Sequence, residues 1–132
     1  MNQNLDALVE RAWVLLKSGN PSALPLAQEA ERLARQQADE YNFAQSQFLL
    51  GVSALDAGRP EEALQELTNA LTRFRWFNDA EREWYALVTI AQTWYVLDDY
   101  DQMHQTLMAA KQLEAPLPEA KFRWLDRIGM VR

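Results

Sequence analysis

Apolar residues recur at three- and four-residue intervals along almost the whole chain, the spacing of one face of an α-helix. Leu5, Leu8, Val9, Ala12, Leu15 and Leu16 form such a stripe and predict a helix over 5–18, with Asn4 as its N-cap. Gly19-Asn20 ends it, because both residues tolerate the left-handed conformation that stops a helix. Pro21 and Ser22 open a second helix that runs to 38, proline being suited to a first helical position. Phe43, Ala44, Phe48, Leu50, Gly51, Ala54 and Leu55 predict a third over 39–57, closed by Gly58. A fourth begins at Pro60, places Glu61 and Glu62 at the positive end of its dipole, and runs to 77. Trp84, Leu87, Val88, Ile90, Ala91, Trp94 and Tyr95 mark a fifth over 79–97. After an Asp98-Asp99 turn, Met103, Leu107, Ala110 and Leu113 mark a sixth over 100–114. Pro116 and Pro118 punctuate, and Phe122, Leu125, Ile128 and Met130 indicate a last helix over 118–130. No segment sustains the period-two alternation of a strand, so an all-α fold of about seven helices is expected.

The helices are not independent of one another in sequence. Ala30, Ala70 and Ala110 stand 40 residues apart, as do Ala23, Ala63 and Met103, and Ala27, Leu67 and Leu107. A fixed period of this size is the signature of stacked helical repeats. Antiparallel helices approach closely only where side chains are small. The alanine series supplies that contact on the second helix of each pair, and Ala12, Gly51 and Ala91 supply it on the first. Each hairpin carries apolar residues on more than one face, so neighbouring hairpins must stack and share a core. The chain therefore reads as one helical-repeat domain over 1–132, with hairpins at 5–38, 39–78 and 79–115. Leu125, Ile128 and Gly129 echo Leu87, Ile90 and Ala91 at a distance of 38 residues. Segment 117–132 is thus either a cap or the start of a fourth repeat.

These residues resemble the tetratricopeptide repeat (TPR) family. The second hairpin carries the likeness best, through Leu50-Gly51, Gly58, Glu61-Glu62-Ala63, Leu67, Ala70 and Leu71. The third follows through Ile90-Ala91, Asp99-Tyr100-Asp101, Leu107 and Ala110. The first departs at Arg11, where an apolar residue is usual before Ala12. The period also exceeds the family's usual one of about 34 residues. In that respect the chain is similar to long-period arrays of bacterial regulatory and signalling proteins. The resemblance implies a right-handed superhelix of three TPR-like hairpins plus a C-terminal helix, with the first helices lining a concave groove.

Helical spacing places Val9, Trp13 and Leu16, then Phe48, Val52 and Leu55, then Tyr85, Val88, Gln92 and Tyr95 along that groove. The set is apolar and rich in aromatic side chains, which make good anchors for a bound segment. The resemblance then implies a non-catalytic protein–protein interaction module that takes a peptide or helical segment, as part of a larger regulatory protein. Three states of the groove remain open: free, filled by the last helix, or buried in a homodimer. A homo-oligomerisation module and a sensory module for a small apolar ligand or signalling peptide are the alternative functions. The Lys, Asn and Arg set with which some relatives clamp a C-terminal carboxylate is missing from these positions.

Charge narrows the partners. The net charge is −6, with 13 basic and 19 acidic residues. The basic residues are scattered, which argues against nucleic acid and an anionic membrane surface. Only residues 117–132 are net basic, by +2. Trp76 and Phe77, beside Arg73 and Arg75, are expected to pack under the next repeat rather than to stack on bases. There is no cysteine, which excludes disulfides and thiolate metal sites. Neither a signal peptide nor a spanning segment is expected, which agrees with a cytoplasmic protein. His104 is the only histidine. A calcium loop starting at Asp98 would have Met103 and Ala109 where glycine and glutamate are needed. No glycine-rich phosphate loop or nucleophile–base pair is present, so no enzyme, cofactor or metal is expected.

Overall fold

A computed structural model describes residues 3–113 and 119–130. Seven helices are found there: α1 (Gln3–Lys17), α2 (Ala23–Gln36), α3 (Glu40–Asp56), α4 (Pro60–Trp76), α5 (Ala80–Val96), α6 (Tyr100–Lys111) and α7 (Glu119–Arg127). The boundaries lie within three residues of those expected, and two N-termini differ in how they are made. Asn4 sits inside α1 rather than capping it. Helix α2 starts at Ala23, because the Asn20 side chain captures the Ser22 N–H at 2.9 Å and holds Pro21-Ser22 in a turn.

The regular boundaries come from one repeated device. At six helix ends a single residue takes the left-handed region, with φ between +54° and +86°: Gly19, Ala38, Gly58, Asn78, Asp98 and Gly129. The next N–H then donates to the carbonyl five residues back, as from Asn20 to Leu15 and from Asp79 to Phe74, both at 2.9 Å. This bond satisfies a carbonyl that the ending helix would orphan. The following helix is commonly opened by an aspartate. Asp39, Asp79 and Asp99 each accept from the N–H three residues on, at 3.0–3.1 Å.

Consecutive helices pair as hairpins, α1 with α2, α3 with α4 and α5 with α6, and the hairpins stack through α2 on α3 and α4 on α5. The first helices also touch one another, α1 with α3 and α3 with α5, and form the inner layer. Ala27, Ala30, Ala63, Leu67 and Ala70 are fully buried between layers, as the alanine series required. The third hairpin is less covered. Met103 and Leu107, at the positions of buried Ala63 and Leu67, are only half-buried, and Ala110 is the one fully buried residue of α6.

Gly51 of α3 lies against Leu67 of α4 with no room for a side chain. A Cβ there would stand 2.7 Å from Leu67 Cγ and 3.2 Å from the Leu67 backbone nitrogen. The backbone contact means that α4 itself must shift. Gly51→Ala should therefore lower stability by about 1–3 kcal/mol, although alanine favours helix over glycine by up to about 1 kcal/mol. A urea midpoint that rises instead would show that the hairpin opens without cost.

Candidate functional site

The concave face of the inner layer is closed by α7. Trp13 of α1 stacks on Phe48 of α3, with ring centroids 5.0 Å apart and planes at 17°. It meets Tyr85 of α5 edge-on at 5.7 Å, so the curvature of the stack brings α1 close to α5. Trp124 of α7 completes the cluster, 5.5 Å from Tyr85, 5.9 Å from Phe48 and 6.4 Å from Trp13. Its side chain is sealed from water, at 2% exposure.

Among the described residues no buried side-chain nitrogen or oxygen lacks a hydrogen-bond partner. The Trp124 indole N–H donates to Thr89 Oγ1 at 3.1 Å, and the Thr89 hydroxyl donates to the Tyr85 carbonyl at 2.7 Å. The Trp13 indole N–H donates to Gln45 Oε1 at 3.0 Å, which also accepts from Arg82 Nε at 2.7 Å. Gln45 donates to Asn42 Oδ1 at 3.2 Å, and Asn42 donates to Asp6 at 2.6 Å and Asp39 at 2.9 Å. This network ties α1, α3 and α5 together beside the aromatic cluster.

Helix α7 is pinned at both ends by cations. Lys121, nearly buried, holds its ammonium 5.1 Å from the centre of the Trp84 ring. Arg127 uses its whole fork. Its Nε donates to the Leu16 carbonyl at 2.9 Å, and its two Nη atoms donate to the Asp56 carboxylate at 3.0 and 2.6 Å. Leu16 lies in the last turn of α1, where the carbonyl end of the dipole favours a cation. Ile128 is buried beyond it, and Gly129 lies against Gln92.

The residues expected along the groove divide accordingly. Val9, Trp13, Leu16, Phe48, Val52, Tyr85 and Val88 are buried, and Leu55 and Gln92 are half-buried. An open apolar trough is therefore not what the fold presents, since α7 occupies it. Tyr95 is displaced from the cluster. It is half-exposed and lies against Tyr100 at 5.8 Å. On α7 the expected apolar face holds in part, with Ile128 buried and Leu125 and Met130 partly buried against the core. Phe122 is 53% exposed, and the buried face is Lys121, Trp124 and Ile128. That stripe, at spacings of three and four, was the available signal for Trp124.

Trp76 is another departure. It ends α4 at 82% exposure, and Phe77, itself 39% exposed, meets Tyr41 of α3 edge-on at 5.3 Å. The two residues border an open cleft of about 870 Å3 with Asp39, Glu40, Tyr41, Thr72 and Arg73, and no residue of α7 lines it. In its wall the Tyr41 hydroxyl donates to Asp79 at 2.6 Å. Burial, then that hydrogen bond, push its pKa up to about 12. An unfolded tyrosine ionises near 10 (about the ordinary value). Stability from Tyr41 is thus complete below that pH and is lost as pH rises through its folded value. Tyr41→Phe should make the fall of the urea midpoint between about pH 10 and 12 shallower; an unchanged slope would mean that Tyr41 does not titrate with unfolding.

Among the described residues no group of three or more potential metal ligands occurs, and no helix is long and apolar enough to cross a membrane. No protein-family model matches the sequence, and no curated protein matches it. Among solved structures, the crystal structure of the TPR domain of Arabidopsis FLU has the same fold. It superposes with a TM-score of 0.72 over 84% of this chain and 94% of that one, at 20% sequence identity. The chain thus has a TPR-like fold, an all-α superhelix of stacked hairpins.

Proposed function

We propose that the chain is a non-catalytic protein-interaction module whose concave groove receives a helical segment of a partner, in the setting of a larger regulatory protein. The observation that carries this reading is α7, a nine-residue helix seated in the groove through one buried tryptophan and two cations. A surface that holds one short helix by an aromatic anchor and charged ends has the means to hold another. The fold supports the same reading, because stacked hairpins create extended concave binding surfaces.

The test uses the full chain carrying Trp124→Ser, which empties the centre of the groove. A displayed library of helical peptides is selected against this variant, with circular dichroism to verify its helices. Selected peptides should compete with one another and bind the unaltered chain at least tenfold more weakly. Peptides that bind both chains equally would place recognition outside the groove and sink the proposal, as would the absence of any ligand.

A further inference from the structure

The way α7 is held specifies what could replace it. Building on the interaction-module reading, we infer that the groove's partner in trans is a basic amphipathic helix of another protein. It carries Lys or Arg, then Trp, then Arg at successive three-residue steps, with an aliphatic residue directly after the Arg. α7 is then an intramolecular competitor that keeps the groove shut until such a helix displaces it.

Each position follows from a contact. The third must be arginine, because three donors are needed at once, one for the Leu16 carbonyl and two for the Asp56 carboxylate. A lysine ammonium offers no planar fork and would satisfy only part of this site. The central residue must bring a large ring between Phe48 and Tyr85 and an N–H donor to Thr89 Oγ1. Thr89 already spends its own proton on the Tyr85 carbonyl, so it can only accept from the ligand. Tryptophan meets both demands; phenylalanine brings no donor. The first position needs a cation with a long apolar stem, to lie along Trp84. The aliphatic residue after the arginine takes the buried place of Ile128. Steps of three residues keep these side chains on one face of a helix.

Charge agrees with this partner. Residues 1–113 hold 9 basic and 16 acidic residues, net −7, whereas 119–130 hold 3 basic and 2 acidic, net +1. A foreign basic helix would be drawn to the same field. It must also outcompete a tethered one, whose effective concentration on a short connection is of order millimolar. Low background occupancy and displacement only by a better-fitting helix are the consequences.

The experiment measures a fluorescently labelled peptide of residues 117–132 by anisotropy against full chains. Trp124→Ser should bind it at least tenfold more tightly than the unaltered chain. Peptides carrying Trp124→Phe or Arg127→Lys should each lose at least fivefold, and raised salt should weaken binding. If Trp124→Ser loses its helical signal, Arg127→Glu opens the groove instead. Library peptides that bind while the 117–132 peptide does not would overturn this partner and leave the interaction module standing; no binding by either would overturn both. An unaltered chain that is dimeric by light scattering, and monomeric as Trp124→Ser, would also overturn it. The occupant would then be α7 of a second copy.

Discussion

Serine in place of Trp124 should release α7 while leaving the three hairpins folded. A tryptophan side chain buries roughly 150–250 Å2, and at about 25 cal/mol per Å2 that is about 4–6 kcal/mol of apolar burial. Truncations of this size in a packed site cost about 3–5 kcal/mol. What remains to hold α7 is Lys121 over Trp84, the Arg127 fork and Ile128, without the anchor at the centre. Asp56 is 44% exposed in its pair with Arg127, and ion pairs open to water contribute about 0–1 kcal/mol. A helix of nine residues also has too few turns to persist undocked. The hairpins, by contrast, are joined through α2 on α3 and α4 on α5, contacts in which α7 takes no part. Amide hydrogen exchange over 119–130 should therefore rise to that of a free peptide, while α3 and α4 keep their protection. Protection of α7 that survives the substitution would mean that Trp124 is not its anchor.

The fold was legible because its determinants are local and repeated. A left-handed residue ends a helix, an aspartate opens the next, and the alanine series sets the face between layers. Each of these can be read within a few residues, and each recurs near a 40-residue step. Helical spacing likewise put Trp13, Phe48 and Tyr85 on one face, and their rings meet in one cluster. Whether that face is open was not legible, for two physical reasons. The first is curvature, a sum of small rotations between hairpins that brings Trp13 within 5.7 Å of Tyr85. No local pattern encodes that sum.

The second reason is that α7 has two candidate faces. The echo of α5 in Leu125, Ile128 and Gly129 favours a fourth repeat, with Gly129 as a small packing residue. In the structure Gly129 is the left-handed stop of α7, at φ +86°, and the face that docks holds Lys121, Trp124 and Ile128. A lysine on the buried stripe disguises it. The stem of that lysine is apolar, and its charge is met by the Trp84 ring. The buried amides of Asn42, Gln45 and Gln47 mislead in the same way. They break the apolar pattern of α3, and only the bonds they make to Asp6, Asp39, Trp13 and Arg73 explain their burial.

Phe48→Ala should be the costliest truncation in the groove, and its effect should differ in kind from that of Trp124. The Phe48 ring is fully buried and belongs to two layers at once. It touches Trp13 and Trp124 on the concave side and lies 6.4 Å from Phe74, inside the α3–α4 hairpin. Its loss removes a wall of the α7 site and leaves a void against the central hairpin. A cost of about 3–5 kcal/mol is expected, a large part of the 5–15 kcal/mol or so typical of whole domains. At about 3–5 °C per kcal/mol for a chain of this size, the melting temperature should fall by roughly 10–20 °C. The denaturant slope should stay constant, since the unfolded chain exposes nearly the same surface. Hydrogen exchange separates the two variants. In Phe48→Ala the protection of α3 and α4 should fall together with that of α7, because one ring serves both the repeat stack and the groove. If α3 and α4 stayed as protected as in the unaltered chain, the groove and the stack would be separate cores, and the concave face could be emptied without weakening the fold.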